Sequence, residues 1–280
     1  MLNGQRIDSG DNSTNIQGKE VTIINNSGLS YSDVKDIAMS VFKSNFYDLG
    51  ENVEKIVQER AEKILDDYLE KLNLKNPEYI KNTEDPDIRY AIYEAQKNYA
   101  RRGEQISKKL LVETLVNRTV IKDNPIQELV LNEALEIIPK ITDKHITILT
   151  LIFLSKYLNY AIDYPTYKFS YLNSIIRDRL IIDNNSYSLF QHLEYVSCLN
   201  LSIGSVNYTY LIQNKFPQIK NEEKSKSVIS DDKELSLMLD MWDNSKLCNS
   251  SLTSVGIAIA VANIKAKTGI DYDLGIWIRE

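Results

Sequence analysis

The stretch VEKIVQERAEKILDDYLEKL, residues 53–72, decides the fold. Val53, Ile56, Val57, Ala61, Ile64, Leu65, Tyr68, Leu69 and Leu72 recur at helical spacing, with charges on the remaining faces. An apolar stripe of this period predicts a long amphipathic helix that buries one side against other helices. Upstream, Ser30 is suited to cap a helix and Asp33 to complete a capping box. Val34, Ile37, Ala38, Val41 and Phe42 then keep helical spacing up to Gly50.

Downstream, Asn76-Pro77 breaks the pattern and Asp85-Pro86 restarts it, since proline fits the first turn of a helix. Ile88, Ala91, Ile92, Ala95 and Tyr99 form the next inner face, closed by Arg101-Arg102-Gly103. Cations and a left-handed glycine both favour a helix C-terminus. Ile106, Leu110, Leu111 and Leu115 carry a fourth helix. Pro125 opens a fifth with Ile126, Leu129, Val130, Leu135 and Ile138. Five helices on short loops predict an antiparallel bundle or helical array over residues 30–140.

For residues 141–280 the reading is helical and winged-helix-like. Thr142 caps a helix through Ile146, Leu149, Phe153, Leu154 and Tyr157, and Phe169–Ile182 and Ser186–Cys198 follow as two more. Cys198–Ile203 and Val206–Ile212 read as the strands of a hairpin, giving the winged-helix order. The polar run at 217–232 reads as a mobile loop. Leu235, Leu239 and Trp242 mark a short helix, and Leu252–Lys267 a further one begun by Thr253. Tyr272–Arg279 alternates like a final strand, and Trp277 needs cover, so this end is expected to dock.

Residues 1–29 differ in kind. Asn12–Gln17 and Glu20–Asn25 are β-capable, with a turn at Gly18-Lys19. The fold class expected is therefore mainly α, a helical bundle with a short N-terminal β-hairpin and the winged-helix-like C-terminal domain. An isolated two-stranded hairpin is marginal in water. It either lies on its own helical body or pairs its open edges with sister chains. Ile16, Gln17, Val21, Ile23 and Ile24 are the residues assigned to such oligomerisation. Ile16-Gln17-Gly18 resembles the Gln-Gly cores of amyloid-type signalling motifs.

Composition narrows the function. The 280 residues hold 33 Lys and Arg against 39 Asp and Glu, a net charge of −6. That balance disfavours non-specific nucleic-acid binding, which requires cations to neutralise phosphates. Residues 142–220 carry seven Lys and Arg against five Asp and Glu, too small an excess to imply DNA. Two cysteines make no disulfide framework, the first ten residues have no leader-like apolar core, and the longest apolar run, Ile146–Leu154, is half a membrane span. The expected setting is cytoplasmic, without membrane contact.

No phosphate loop, dinucleotide fingerprint or nucleophile elbow is present in the sequence. His145 and His192 have no zinc-type spacing to other ligands, so no metal or cofactor is expected. Asp231-Asp232-Lys233-Glu234 and Asp271-Tyr272-Asp273 read as solvated surface. Asn185 followed by His192 resembles the polar-residue-then-His pair of helical ribonucleases of the HEPN type, with Asn where that family usually has Arg. The resemblance implies RNA cleavage at a dimer cleft, with Asn185 and His192 as catalytic candidates.

Three passages resemble an uncharacterised family of bacterial proteins, many from mobile or phage-defence settings. They are GDNSTNIQ at 10–17, GLSYSDVKDIAMSVFKSNFYDL at 28–49 and LTSVGIAIAVANIKAKTGIDYDLGIWI at 252–278. The LTxxG helix also resembles some abortive-infection-type proteins. The leading expectation is a non-enzymatic, homo-oligomerising interaction protein that contacts a protein partner. An RNA-cleaving nuclease and a winged-helix DNA binder are the alternatives.

Overall fold

The computed structural model describes residues 28–45, 51–160, 165–219 and 221–279. The hairpin expected over Asn12–Asn25, with Ile16, Gln17, Val21, Ile23 and Ile24, lies outside them. The described chain is mainly helical, with one two-stranded antiparallel sheet among the described residues.

Helix α1, Tyr31–Asn45, starts where its sequence asks it to. The Ser30 backbone N–H donates to Asp33 Oδ2 at 2.8 Å and the Asp33 N–H donates back to Ser30 Oγ at 3.2 Å. That reciprocal pair satisfies two donors that a helix start leaves open. Helix α2, Glu51–Lys75, carries the stripe of residues 53–72. Val57, Ala61, Ile64, Leu65, Tyr68, Leu69 and Leu72 are buried as expected, whereas Val53 and Ile56 are 45% and 48% exposed. A 3-10 turn, Pro77–Glu84, leads to α3, Pro86–Arg102, capped by Asp85. Gly103 ends α3 with φ +69°, and a Cβ there would meet the Arg60 guanidinium at 2.5 Å. Glycine suits this left-handed cap, where any other side chain would be strained and would push the arginine aside.

Helices α4, Gln105–Val120, and α5, Pro125–Ile137, complete the first array, with Asn124 capping α5. Helix α6, Asp143–Ile152, runs into one π-helical stretch, Phe153–Tyr157. Every residue from His145 to Ile152 is buried, as the apolar run there predicts. Helices α7, Thr166–Arg177, and α8, Tyr187–Tyr195, lead to strand β1, Leu199–Leu201. Then come α9, Tyr208–Lys215, α10, Glu222–Asp231, α11, Lys233–Asp243, strand β2, Ser250–Leu252, and α12, Ser254–Thr268.

Helix α12 is the axis of the packing. Gly256–Ile264 is buried throughout, as befits a helix apolar on all sides. It packs against α4, α5 and α6, and one apolar core runs from Val34 to Ile278. The Trp277 indole stands edge-on to Phe153, centroids 4.9 Å apart, and donates to the Tyr157 carbonyl at 3.1 Å. Gln127 Nε2 donates to the Ile278 carbonyl at 3.0 Å, so the C-terminal end docks on α5, as the need to cover Trp277 required.

Three local expectations are corrected. Val206–Ile212 is not the second strand of a hairpin. Asn207 caps α9 through its side-chain oxygen, and Tyr208 and Ile212, one turn apart, are both buried, while Tyr210 is 59% exposed. Strand β1 pairs instead with β2, Leu199 opposite Leu252, so the wing of the expected winged helix is not built from these residues. Within the 217–232 stretch read as a mobile loop, Glu222–Asp231 is helix α10, capped by Asn221 and anchored by buried Ser225 and Ile229. The tail is a 3-10 turn at Leu274–Ile276 rather than a strand, because Asp273 caps it and Leu274 and Ile278 turn inward together.

Candidate functional site

Two places in the described chain stand out from the packing. The first is a cleft of about 1010 Å³ at the ends of α4, α6 and α12, floored by His145 and Asn263. Lys109, Lys144 and Lys267 line it together with Glu104 and Asp143. Thr142 starts α6 there: its backbone N–H donates to His145 Nδ1 at 3.1 Å, and its Oγ1 lies 2.7 Å from the same nitrogen. A backbone N–H can only donate, so Nδ1 accepts and the neutral ring carries its proton on Nε2.

Burial first, and the neighbouring His192 second, push the His145 pKa down to about 4, so the ring is neutral at pH 7. Burial, followed by the Glu104 charge, raises the pKa of Asp143, whereas burial lowers that of Lys267. Lys267 Nζ donates to the Ile176 carbonyl at 3.0 Å. A second depression shares Ile106, Asp143, Lys144 and Lys267 with the cleft and extends it toward Arg177 and Arg179. Arg177 is held there by a two-pronged pair with Glu234, at 2.8 and 2.9 Å.

The catalytic candidates read from the sequence, His192 and Asn185, make separate contacts. His192, on α8, donates through Nε2 to the Lys140 carbonyl at 2.9 Å. Asn185 turns back on Asp183, with its Nδ2 3.2 Å from Asp183 Oδ2. Among the described residues no hydrogen bond joins Asn185 to His192. His192 instead meets His145, ring centroids 5.0 Å apart. Spacing along the chain gave no sign of this pairing of the molecule's two histidines. Asn263 is not singled out by that spacing either, although an uncharged polar residue directly after the apolar run IAIAVA was a visible signal. No group of three or more His, Cys, Asp or Glu gathers for a metal among the described residues, and none of their helices is long and apolar enough to cross a membrane.

The second place is a small, largely apolar groove of about 40 Å³ between α1 and α3. Leu29, Val34, Ile37 and Val41 form one wall, and Ile92 and Tyr93 the other. Val41 is 42% exposed, and exposed Val53 and Ile56 lie on the neighbouring start of α2. Leu29 is the second described residue, after Gly28, so the groove lies at the start of the described chain.

The model of an uncharacterised family matches residues 28–230 and 218–278. The chain belongs to that family. The matched stretches hold both the groove and the cleft, so these are features of the part of this family member that aligns with the family model. No curated protein and no solved structure matches the chain.

Proposed function

We propose that this family member is a non-enzymatic interaction protein that assembles with copies of itself, and that residues 1–27 of one chain dock against the α1–α3 groove of a sister chain. The apolar groove beside Leu29 carries this reading. A few aliphatic residues and an open strand edge stabilise a short β segment only when another surface covers them. Val21, Ile23 and Ile24 supply the apolar contacts, and the groove supplies the matching surface. The resemblance to bacterial proteins from mobile and phage-defence settings supports a role in defence, with a protein partner recognised by the assembled form.

Light scattering coupled to size-exclusion chromatography on the full chain tests this. The wild type is expected to elute as a defined oligomer. Val41→Asp, at an exposed position, and Ile24→Asp are each expected to shift it toward monomer with the helical spectrum unchanged. A monomeric wild type, or variants with the wild-type mass, would refute the assembly. RNA cleavage by the purified protein that disappears in His192→Ala would replace this reading with the nuclease one.

A further inference from the structure

We propose that the cleft between α4, α6 and α12 binds a mononucleotide, its phosphate at Lys109, Lys144 and Lys267 and its base edge at His145 and Asn263.

Two orphaned polar atoms carry the argument. His145 is 6% exposed and Asn263 is fully buried. With Nδ1 of His145 occupied by the Thr142 N–H, the Nε2–H is a donor, and it has no hydrogen-bond partner. Asn263 donates through Nδ2 to Thr150 Oγ1 at 2.9 Å, which fixes its amide orientation and leaves Oδ1 an acceptor without a partner. Buried polar groups are nearly always paired, so two unpaired ones lining the same cleft call for an explanation. One donor and one acceptor match a ligand edge that offers an acceptor and a donor in turn, as an amide or a nucleobase does.

The rest of the lining sets the second half of the ligand. Three lysines against two carboxylates favour an anionic group, and Arg179 extends the cationic side through the adjoining depression. A small molecule that joins a base-like edge to a phosphate satisfies both halves; inorganic phosphate or a bare nucleoside satisfies only one. This goes beyond the assembly reading and does not depend on it.

Isothermal titration calorimetry on the full chain provides the test, with AMP, GMP, CMP and UMP, their nucleosides, and inorganic phosphate as probes. At least one mononucleotide is expected to bind about tenfold more tightly than its own nucleoside and than inorganic phosphate. Lys144→Ala, an exposed change, is expected to weaken that mononucleotide about tenfold. His145→Asn keeps an acceptor near the Thr142 N–H but places no donor where the imidazole Nε2–H stands, and is expected to weaken binding as much. Unchanged melting temperatures would tie both losses to the cleft. Heat signals from no nucleotide, affinities that neither variant alters, or inorganic phosphate binding as tightly as every nucleotide would each overturn the proposal.

Discussion

His145 and His192, the two histidines of the chain, meet at a tilt of 50° with ring centroids 5.0 Å apart. Their closeness and the burial of His145 give stability a pH dependence. The folded pKa of His145 lies at about 4, below the ordinary value of 6.5. Between those values the unfolded chain takes up a proton that the folded chain refuses, so the contribution is complete above pH 6.5 and is lost as the pH falls toward 4. Protonation also removes the Nδ1 lone pair that accepts from Thr142. Urea unfolding is expected to show about 2 kcal/mol less stability at pH 5 than at pH 7.5 from this group. His145→Gln should remove that share of the loss, while the carboxylates continue to titrate. Equal pH slopes for the variant and the wild type would show that the ring is not held neutral.

Gly256 touches the backbone of Cys198. A Cβ on Gly256 would sit 2.0 Å from the Cys198 carbonyl oxygen, which already accepts from the Thr253 N–H at 3.1 Å. Glycine to alanine inside a helix ordinarily stabilises it by up to about 1 kcal/mol. Here the sign reverses. Gly256→Ala is expected to cost about 2 kcal/mol, because backbone must shift to relieve the overlap. Chemical denaturation measures it, and an alanine variant as stable as the wild type would mean that α12 does not approach β1 this closely.

Arg118, on α4, gathers surface acids of two helices, α3 and α5. Its guanidinium is 5% exposed as a residue and reaches Asp87 at 2.5 Å, Glu128 at 3.3 Å and the Asn132 side-chain oxygen at 3.0 Å. The Asn132 hydrogen bond and the Arg118 charge lower the pKa of Asp87. The partners are unequally placed, since the Asp87 side chain is 49% exposed and regains water when left alone. Arg118→Ala is therefore expected to cost about 2 kcal/mol, and Asp87→Asn under about 1 kcal/mol. The reverse order in thermal or urea unfolding would contradict this assignment of burial.

The legible parts of the fold were those written locally. Ser30 with Asp33, Asp85 with Pro86, Gly103 and Thr253 each mark a helix end in the sequence and mark the same end in the structure. Long-range pairing was not legible: Leu199 finds Leu252 across fifty residues, and neither strand has more than three residues to announce itself. Alternation misled at Val206–Ile212, where β-branched and aromatic residues favour a strand but the Asn207 cap and the one-turn spacing of Tyr208 and Ile212 prevail. Helix α10 is hidden because only Ser225 and Ile229 are buried, with Val228 partly so, among charged neighbours. The cleft is assembled from residues of α4 and α6 and from α12, more than a hundred positions further on, and only Asn263 after its apolar run gave notice of it.

The assembly reading is tested most directly by cross-linking two differently tagged full-length chains, one carrying Ile23→Cys and the other Val41→Cys, under mild oxidation. Docking between sister chains predicts a disulfide-linked species bearing both tags, absent when either new cysteine is omitted. Failure to form it, together with a closed monomer from the chain that carries both substitutions, would show that the segment folds onto its own groove and would contradict the proposal.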